Sequence, residues 1–232
     1  MLGIIGAMDQ EVAAIKEHMS DVQIVTKASM EYYVGCLDGK KAVVVRSGIG
    51  KVNAAICAQI LIDTFCVSAI VNTGVAGSLK AQINIGDIVL STDALQHDMD
   101  VTLLGYDPGQ IPGMDRLAFP ADGKLLALAK ECCADVNPDI CTFAGRVVSG
   151  DQFISESKKK EWLTETFDGF CTEMEGAAIA QTAYLNHVPY LVLRAISDKA
   201  DDSASMDYPE FEARAIEHSV RLMEEMIRRY ED

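Results

Sequence analysis

The segment Ser68–Gly74, SAIVNTG, is a short apolar run that closes on asparagine, threonine and glycine. A strand without polar alternation is covered on both faces, as in the interior of a parallel sheet. Similar runs recur along the chain and alternate with longer segments of helical periodicity. Further strands are predicted at 2–7, 86–98, 142–150 and 189–197 and in a hairpin over 30–48 that turns at Asp38–Gly39; helices are predicted at 9–19, 50–65 and 122–136 and around Ala178 and Met223. This alternation predicts an α/β fold with a mixed, mostly parallel central sheet flanked by helices.

Local patterns refine this prediction. The helix at 50–65 carries four apolar side chains near one face: Val52, Ile56, Ile60 and Phe65. Asp122 is the expected N-cap of the helix that follows it. Residues 100–120 contain glycines and prolines without periodicity, so we expect a surface loop that serves function or an interface. No repeat or linker divides the chain, and a single domain over residues 1–232 is predicted.

The charge balance excludes several classes of partner. The formal net charge of −15 repels nucleic acid and anionic membranes. The basic run at 158–160 has acidic neighbours, and we interpret it as a solvated helix start. The N-terminal stretch lacks a basic region, so no signal peptide is expected. The longest uncharged run, 64–79, is shorter than the roughly 20 residues that a membrane helix needs.

The seven cysteines are an odd number without a Cys-x-x-Cys pair. Most of them lie in apolar stretches, as Cys57 and Cys66 do. This pattern indicates buried thiols in a reducing cytoplasm, and it does not favour a disulfide framework.

Acidic side chains follow three of the predicted strands. Glu11 comes soon after the first strand, Glu175 stands in the segment TEMEG, and Asp198 ends an apolar run. In α/β sheets, ligands bind at the carboxyl ends of the strands. Carboxylates crowded into a cleft raise the pKa of at least one of them, which suits general acid catalysis. Taken singly, each could instead be a helix-start acid or a cap, as could Glu173.

Two other motifs are weaker. The segment SGIGKVNAA has neither the spacing of a phosphate-binding loop nor a third glycine at Asn53, and a tight turn before a helix explains its glycines. His97 lies near Asp98 and Asp100, but no second histidine is close in sequence. We therefore expect no metal and no cofactor.

Eight motifs together identify a family. In chain order they read GIIGAMDQEV, SGIGKVNAA, VNTGVAGSL, GDIVLSTDALQHDMDVT, GYDPGQIPG, VVSGDQFI, TEMEGAAIAQ and RAISDKAD. They resemble the 5′-methylthioadenosine/S-adenosylhomocysteine nucleosidases, members of the purine nucleoside phosphorylase superfamily, from Leu2 to Phe211. The resemblance implies a nucleoside phosphorylase-like fold, no cofactor and a place in methionine salvage. It also implies hydrolysis of the N-glycosidic bond between adenine and a 5′-thio-substituted ribose.

The resemblance also implies the catalytic roles. Asp198, oriented by Ser197, would donate a proton to adenine N7. Glu11 would polarise the attacking water, with Arg194 nearby. Glu175 would bind the ribose hydroxyls. An oxocarbenium-like transition state is cationic, so carboxylates stabilise charge that develops only there.

Other positions would complete the substrate site. Met174 would lie against the sugar, Phe153 would stack on the base, and the backbone of Ile154 would bind the edge of the base. Glu173 is expected to be a supporting carboxylate. Three residues would line the alkylthio subsite: Met8, Ile49 and Tyr208. In this family a neighbouring subunit closes that subsite, which implies a homodimer and partner contributions from Val101, Leu104, Tyr106 and Pro112.

The chain departs from the family pattern at two positions. Val75 stands where many members have a serine near the water, and Leu104 stands where an aromatic residue is common. The alternatives are a sister nucleosidase acting on futalosine or AMP, and a nucleoside-binding protein without activity.

Overall fold

Ten strands form one sheet in the computed structural model, which describes residues 1–199 and 208–231 but not the side chains of residues 208–212. The strands are β1 (Leu2–Gly6), β2 (Ser20–Lys27), β3 (Met30–Leu37), β4 (Lys40–Arg46), β5 (Ala69–Ser78), β6 (Ile88–Gln96), β7 (Phe119–Pro120), β8 (Thr142–Ser149), β9 (Gly169–Glu173) and β10 (Tyr190–Asp198). The helices are α1 (Asp9–Glu17), α2 (Lys51–Phe65), α3 (Gly123–Val136), α4 (Ser157–Phe167), α5 (Gly176–Leu185) and α6 (Tyr208–Arg229), with a 3₁₀ turn at Thr102–Leu104.

The sheet is mixed, as predicted. At its centre β1 is parallel to both β4 and β5, and β5 is parallel to β10. β10 pairs antiparallel with β6, β6 and β9 both run parallel to β8, and β9 returns antiparallel to β5. These pairings close a ring of strands on one side of the molecule, while the hairpins β2–β3 and β3–β4 extend the sheet on the other. The carboxyl ends of β1, β5 and β10 therefore come together.

The strand β5, which contains most of SAIVNTG, is buried along its length except for partly buried Val75. Its successive side chains enter different cores: Ile70 belongs to the core that contains residues of α2 and α5, whereas Val71 belongs to the core that contains residues of α1, α3 and α6. This alternation is the pleat of a strand that is covered on both faces. The prediction of helices on both sides of the sheet is confirmed.

Several local predictions are confirmed as well. The β3–β4 hairpin turns at Asp38–Gly39, where both residues have positive φ, as a two-residue hairpin turn demands. The Asp122 side chain accepts hydrogen bonds from the backbone of Lys124 and Leu125 at the start of α3. Residues 100–120 lie mostly at the surface.

Of the four apolar residues named on α2, Ile60 and Phe65 are partly buried against the core, whereas Val52 is 69% exposed and Ile56 is also exposed. The buried residues of α2 are Ala54, Cys57, Ala58 and Leu61. Small side chains face the sheet and α5 because they allow close packing. Cys66 is exposed rather than buried, since it ends α2 in a left-handed conformation. All seven cysteines are free thiols.

Lys160 contradicts the expectation of a solvated basic run. Lys158 is exposed, but Lys160 is only 7% exposed and is hydrogen-bonded beneath the end of β10. Within residues 1–199 and 208–231, no helix has both the length and the apolar character needed to cross a membrane.

Candidate active site

A cavity of about 220 Å³ lies at the carboxyl ends of the strands. It collects residues that follow β1, β4 and β8 and the last residues of β5, β9 and β10. Its lining residues are Ala7, Met8, Glu11, Ile49, Val75, Ala76, Gly77, Phe153, Thr172, Glu173, Met174, Glu175, Ser197 and Asp198. Most of the site residues predicted from the sequence are therefore brought together. Ala7, Ala76, Gly77 and Thr172 were not predicted, because small residues without a charge give no signal in the sequence that would have identified them.

Glu11 is fixed by backbone donors. Its Oε2 accepts hydrogen bonds from the N–H groups of Ala7 at 2.6 Å and Met8 at 2.9 Å, and its Oε1 accepts one from Val75 at 3.2 Å. Burial raises the pKa of Glu11, and the opposing effects of Arg194 and the backbone donors do not cancel that rise. A buried carboxylate with a raised pKa, held rigidly at a cavity wall, is suited to accept a proton.

Arg194 lies behind the cavity and does not line it. Only 1% of it is exposed, and its Nη2 donates to Asn72 Oδ1 at 2.6 Å and to Glu173 Oε2. Burial would lower its pKa, but the carboxylates of Glu173, Glu175 and Glu11 raise it. The guanidinium therefore serves as a fixed positive charge beneath three carboxylates.

Hydrogen bonds from neighbouring residues hold the Glu173 carboxylate in place. It ends β9, and its carboxylate accepts hydrogen bonds from Ser149 and Arg194 and from the backbone N–H groups of Glu175 at 3.1 Å and Gly176 at 2.8 Å. Burial acts to raise its pKa, but Arg194, Ser149 and Gly176 outweigh burial and lower it. Glu173 thus caps α5 and neutralises Arg194.

Glu175 is the N-cap residue of α5, although its own side chain makes no capping bond. Its Oε1 accepts a hydrogen bond from Gly50 N at 2.8 Å, and its Oε2 lies 4.0 Å from Arg194 Nη2. Burial and the nearby Glu173 raise the pKa of Glu175 to about 7. The two glutamates of TEMEG therefore have different surroundings: hydrogen bonds hold both carboxylate oxygens of Glu173, whereas only Oε1 of Glu175 accepts one from the described residues.

Asp198 ends β10 and lines the same cavity. Ser197 Oγ donates to its Oδ1 at 3.3 Å, and Lys160 Nζ donates to its Oδ2 at 3.2 Å. Gly77 makes room for this carboxylate, because a Cβ there would lie 2.8 Å from Oδ2. Lys160 was missed from the sequence because its charged neighbours suggested a solvated face.

Apolar side chains form the remaining wall. Met8, Ile49, Val75 and Met174 line the cavity, and Phe153, which is 72% exposed, stands at its mouth. Ile154 is buried and lines a small adjoining cavity beside Phe153. Tyr208 begins α6, but its side chain, predicted to line the alkylthio subsite, is outside the described residues.

The four residues predicted for a partner subunit do not line the cavity of their own chain. Val101 is partly buried, and Leu104, Tyr106 and Pro112 are exposed on the surface loop. His97 is buried and does not line this cavity, and burial lowers its pKa to about 4. Across the described part of the chain, no three His, Cys, Asp or Glu side chains are grouped as a metal site would require.

Comparison with known proteins agrees with this geometry. The phosphorylase superfamily matches residues 1–228. A 5′-methylthioadenosine/S-adenosylhomocysteine nucleosidase of Staphylococcus carnosus is 42% identical over 231 residues, which cover 98% of this chain and 99% of the relative. The chain belongs to the phosphorylase superfamily, and within it to these nucleosidases.

Solved structures place the fold in the same family. The nucleosidase of Neisseria meningitidis, in complex with methylthio-immucillin-A, has a TM-score of 0.93 and 36% identity, with 99% of each chain covered. A futalosine hydrolase mutant of Helicobacter pylori has a TM-score of 0.91 and 32% identity, with 97% of each chain covered. The predicted α/β, nucleoside phosphorylase-like fold is confirmed, and the chain is an N-glycosidase.

The family departure at Val75 leaves one contact of Glu11 intact. The bond from Val75 to Glu11 uses the backbone N–H, so it does not depend on a serine side chain.

Proposed function

We propose that the cavity hydrolyses the N-glycosidic bond of 5′-methylthioadenosine and S-adenosylhomocysteine, releasing adenine and the 5-thio-substituted ribose. The observation that carries the proposal is the arrangement of Glu11, Glu175 and Asp198 around one cavity, with an apolar wall of methionine, isoleucine and valine. The carboxylates suit a cationic transition state, and the apolar wall suits a thioalkyl group.

Asp198 and Glu11 carry out the two proton transfers of the reaction. Asp198 donates its proton to adenine N7 while the bond between C1′ and N9 breaks, and the bonding electron pair leaves with the base. Water adds to the oxocarbenium carbon, and Glu11 accepts the proton that the water loses. Glu175 binds the ribose hydroxyls, while Arg194 places a buried positive charge close to Glu11 and Glu175.

The cavity favours water over phosphate as the nucleophile. None of its described lining side chains is cationic, whereas Glu11 and Glu175 are acidic. A phosphate dianion would be repelled there, since binding it calls for arginine, lysine or several free backbone donors. For the same reason AMP, which carries a 5′-phosphate, is a poor substrate for this site.

We propose that the enzyme acts as a homodimer in a reducing cytoplasm, where its products enter methionine salvage. The exposed side chains of Leu104, Tyr106 and Pro112 would cover the open side of the partner's cavity, with Val101 beside them. The apolar wall of one chain ends at Ile49 and Phe153, both of which are exposed, so a second copy would complete the pocket.

The function is tested by adenine release. We expect the same rate from 5′-methylthioadenosine with and without phosphate, with the free thio-ribose as product. Asp198→Asn and Glu11→Gln should each lower kcat by roughly 10²–10⁴-fold, the range for general acid or base catalysis. Methylthioribose 1-phosphate as a product, or both variants within a few-fold of wild type, would refute the proposal.

Futalosine hydrolysis is the second candidate, because the fold of a futalosine hydrolase mutant is nearly as similar. Futalosine, AMP and S-adenosylhomocysteine are therefore assayed at the same enzyme concentration. Ligand binding without turnover of any of them would support a nucleoside-binding protein instead.

A further inference from the structure

Lys160 is a buried cation that the reaction described above does not use. Of its two basic neighbours, Lys158 is exposed, and the Nζ atom of Lys159 lies 3.8 Å from the centre of the Trp162 ring. Lys160 turns inward from α4 and is almost fully buried. A buried ammonium is costly unless it is paired and hydrogen-bonded, so its partners indicate why it is there.

Among the described residues, the partners of the Lys160 ammonium lie at the end of β10. Its Nζ donates to Lys199 O at 2.6 Å and to Asp198 Oδ2 at 3.2 Å. The side chains of the ion pair are 8% and 13% exposed. Salt screens an ion pair so shielded from solvent only weakly, and the Lys160 charge therefore acts strongly on the Asp198 carboxylate.

The opposite oxygen of Asp198 has an adaptable partner. Ser197 Oγ lies 3.3 Å from Asp198 Oδ1 and 3.5 Å from Ala76 O. Its hydroxyl hydrogen can point to Ala76 O when Oδ1 carries a proton, and to Oδ1 when that proton has left. Lys160, in contrast, can only donate to Oδ2.

We propose that Lys160 is a positioning residue for the general acid, which rests on the proposed role of Asp198. When the Asp198 proton moves to adenine N7 and the glycosidic electron pair leaves with the base, Asp198 becomes a carboxylate. The Lys160 ammonium stabilises that new negative charge and keeps the carboxyl group aimed into the cavity. The charge-assisted bond therefore strengthens as the proton is transferred.

Kinetics of three lysine variants test this role. Lys160→Met should lower kcat for 5′-methylthioadenosine by about 10- to 100-fold with little change in KM, the loss expected for a hydrogen bond to a charged group. Lys160→Arg should recover most of the activity because it keeps the charge. Lys158→Met removes the same charge from an exposed position of α4, and it should match wild type. If Lys160→Met does not fold, Lys160→Gln gives the same comparison.

A double-mutant cycle separates positioning from a structural role. If Lys160 acts through Asp198, Lys160→Met should change the residual rate of Asp198→Asn by no more than about two-fold. A 5-thioriboside with a 4-nitrophenolate leaving group needs no proton, so Lys160→Met should cleave it at the wild-type rate.

Either of two results overturns the inference while Asp198→Asn remains impaired: additive losses in the cycle, or equal losses for both leaving groups. An Asp198→Asn variant with wild-type activity would instead refute the role of Asp198, and the inference with it.

Discussion

At the scale of single residues, the surroundings of Glu173 and Glu175 shift the pKa values of these two side chains in opposite directions. Arg194, Ser149 and the start of α5 lower the pKa of Glu173 against the effect of burial. Burial together with that ionised neighbour raises the pKa of Glu175 to about 7. Glu173 thus stays ionised and supports the site, while Glu175 can exchange its proton near neutral pH as substrate binds.

The raised pKa of Glu175 predicts how stability depends on pH. Between about pH 4.5 and 7 the folded protein holds a proton on Glu175 that the unfolded chain has lost, so this residue reduces stability as pH rises. Glu175→Gln removes that cost and should be more stable than wild type at pH 8, by at most about 3 kcal/mol, but not at pH 5. Thermal unfolding at both pH values measures the difference. Glu161→Gln, at an exposed position of α4, is the control, and an equal effect of Glu175→Gln at both pH values would contradict the assignment.

At the scale of elements, two glycines of β5 leave space for carboxylates of the site. A Cβ on Gly74 would lie 2.5 Å from Glu11 Oε1, and a Cβ on Gly77 would lie 2.8 Å from Asp198 Oδ2. Both distances are shorter than van der Waals contact, so the two proposed catalytic carboxylates occupy space that glycine leaves free.

Gly77→Ala should therefore displace the Asp198 carboxylate without unfolding β5. A shift of about 1 Å in a catalytic group can cost on the order of 100-fold in rate, and we expect a loss of kcat of that size. Gly123→Ala is the matched control, because no atom of the described residues lies within 4 Å of a Cβ at that position. Kinetics and thermal unfolding of both variants provide the measurement. A Gly77→Ala enzyme with full activity would show that Asp198 has freedom to move.

The helices and strands also show which features of the fold can be predicted from local sequence patterns. Strand burial, the Asp38–Gly39 turn and the Asp122 cap were predictable because each depends on neighbouring residues. The strand β2 was not predicted, since it is an exposed edge strand without a buried face. The buried face of α2 does not follow from its large apolar residues, because close helix packing favours small ones there. The burial of Lys160 depends on Asp198 and Lys199, which are distant in sequence.

At the scale of the whole molecule, exposed apolar side chains remain after folding. Leu103 is completely exposed, Leu104 is 74% exposed, and Phe153 and Ile49 are exposed at the cavity mouth. Large apolar surface of this kind, next to a functional cavity, is typical of an interface. A two-fold pairing would let the same loop complete both cavities, since each copy offers the surface that the other lacks.

The proposed homodimer predicts that assembly and substrate affinity fail together. Leu104→Asp combined with Tyr106→Asp places two charges on the surface loop and should yield a monomer by analytical ultracentrifugation. Because the thioalkyl group then loses apolar cover, KM for 5′-methylthioadenosine should rise by roughly tenfold or more, whereas adenine binding should change little. Ile24→Asp, on the exposed edge strand β2, is the control and should remain dimeric. A wild-type chain that is fully active as a monomer at micromolar concentration would exclude a partner's contribution to the site.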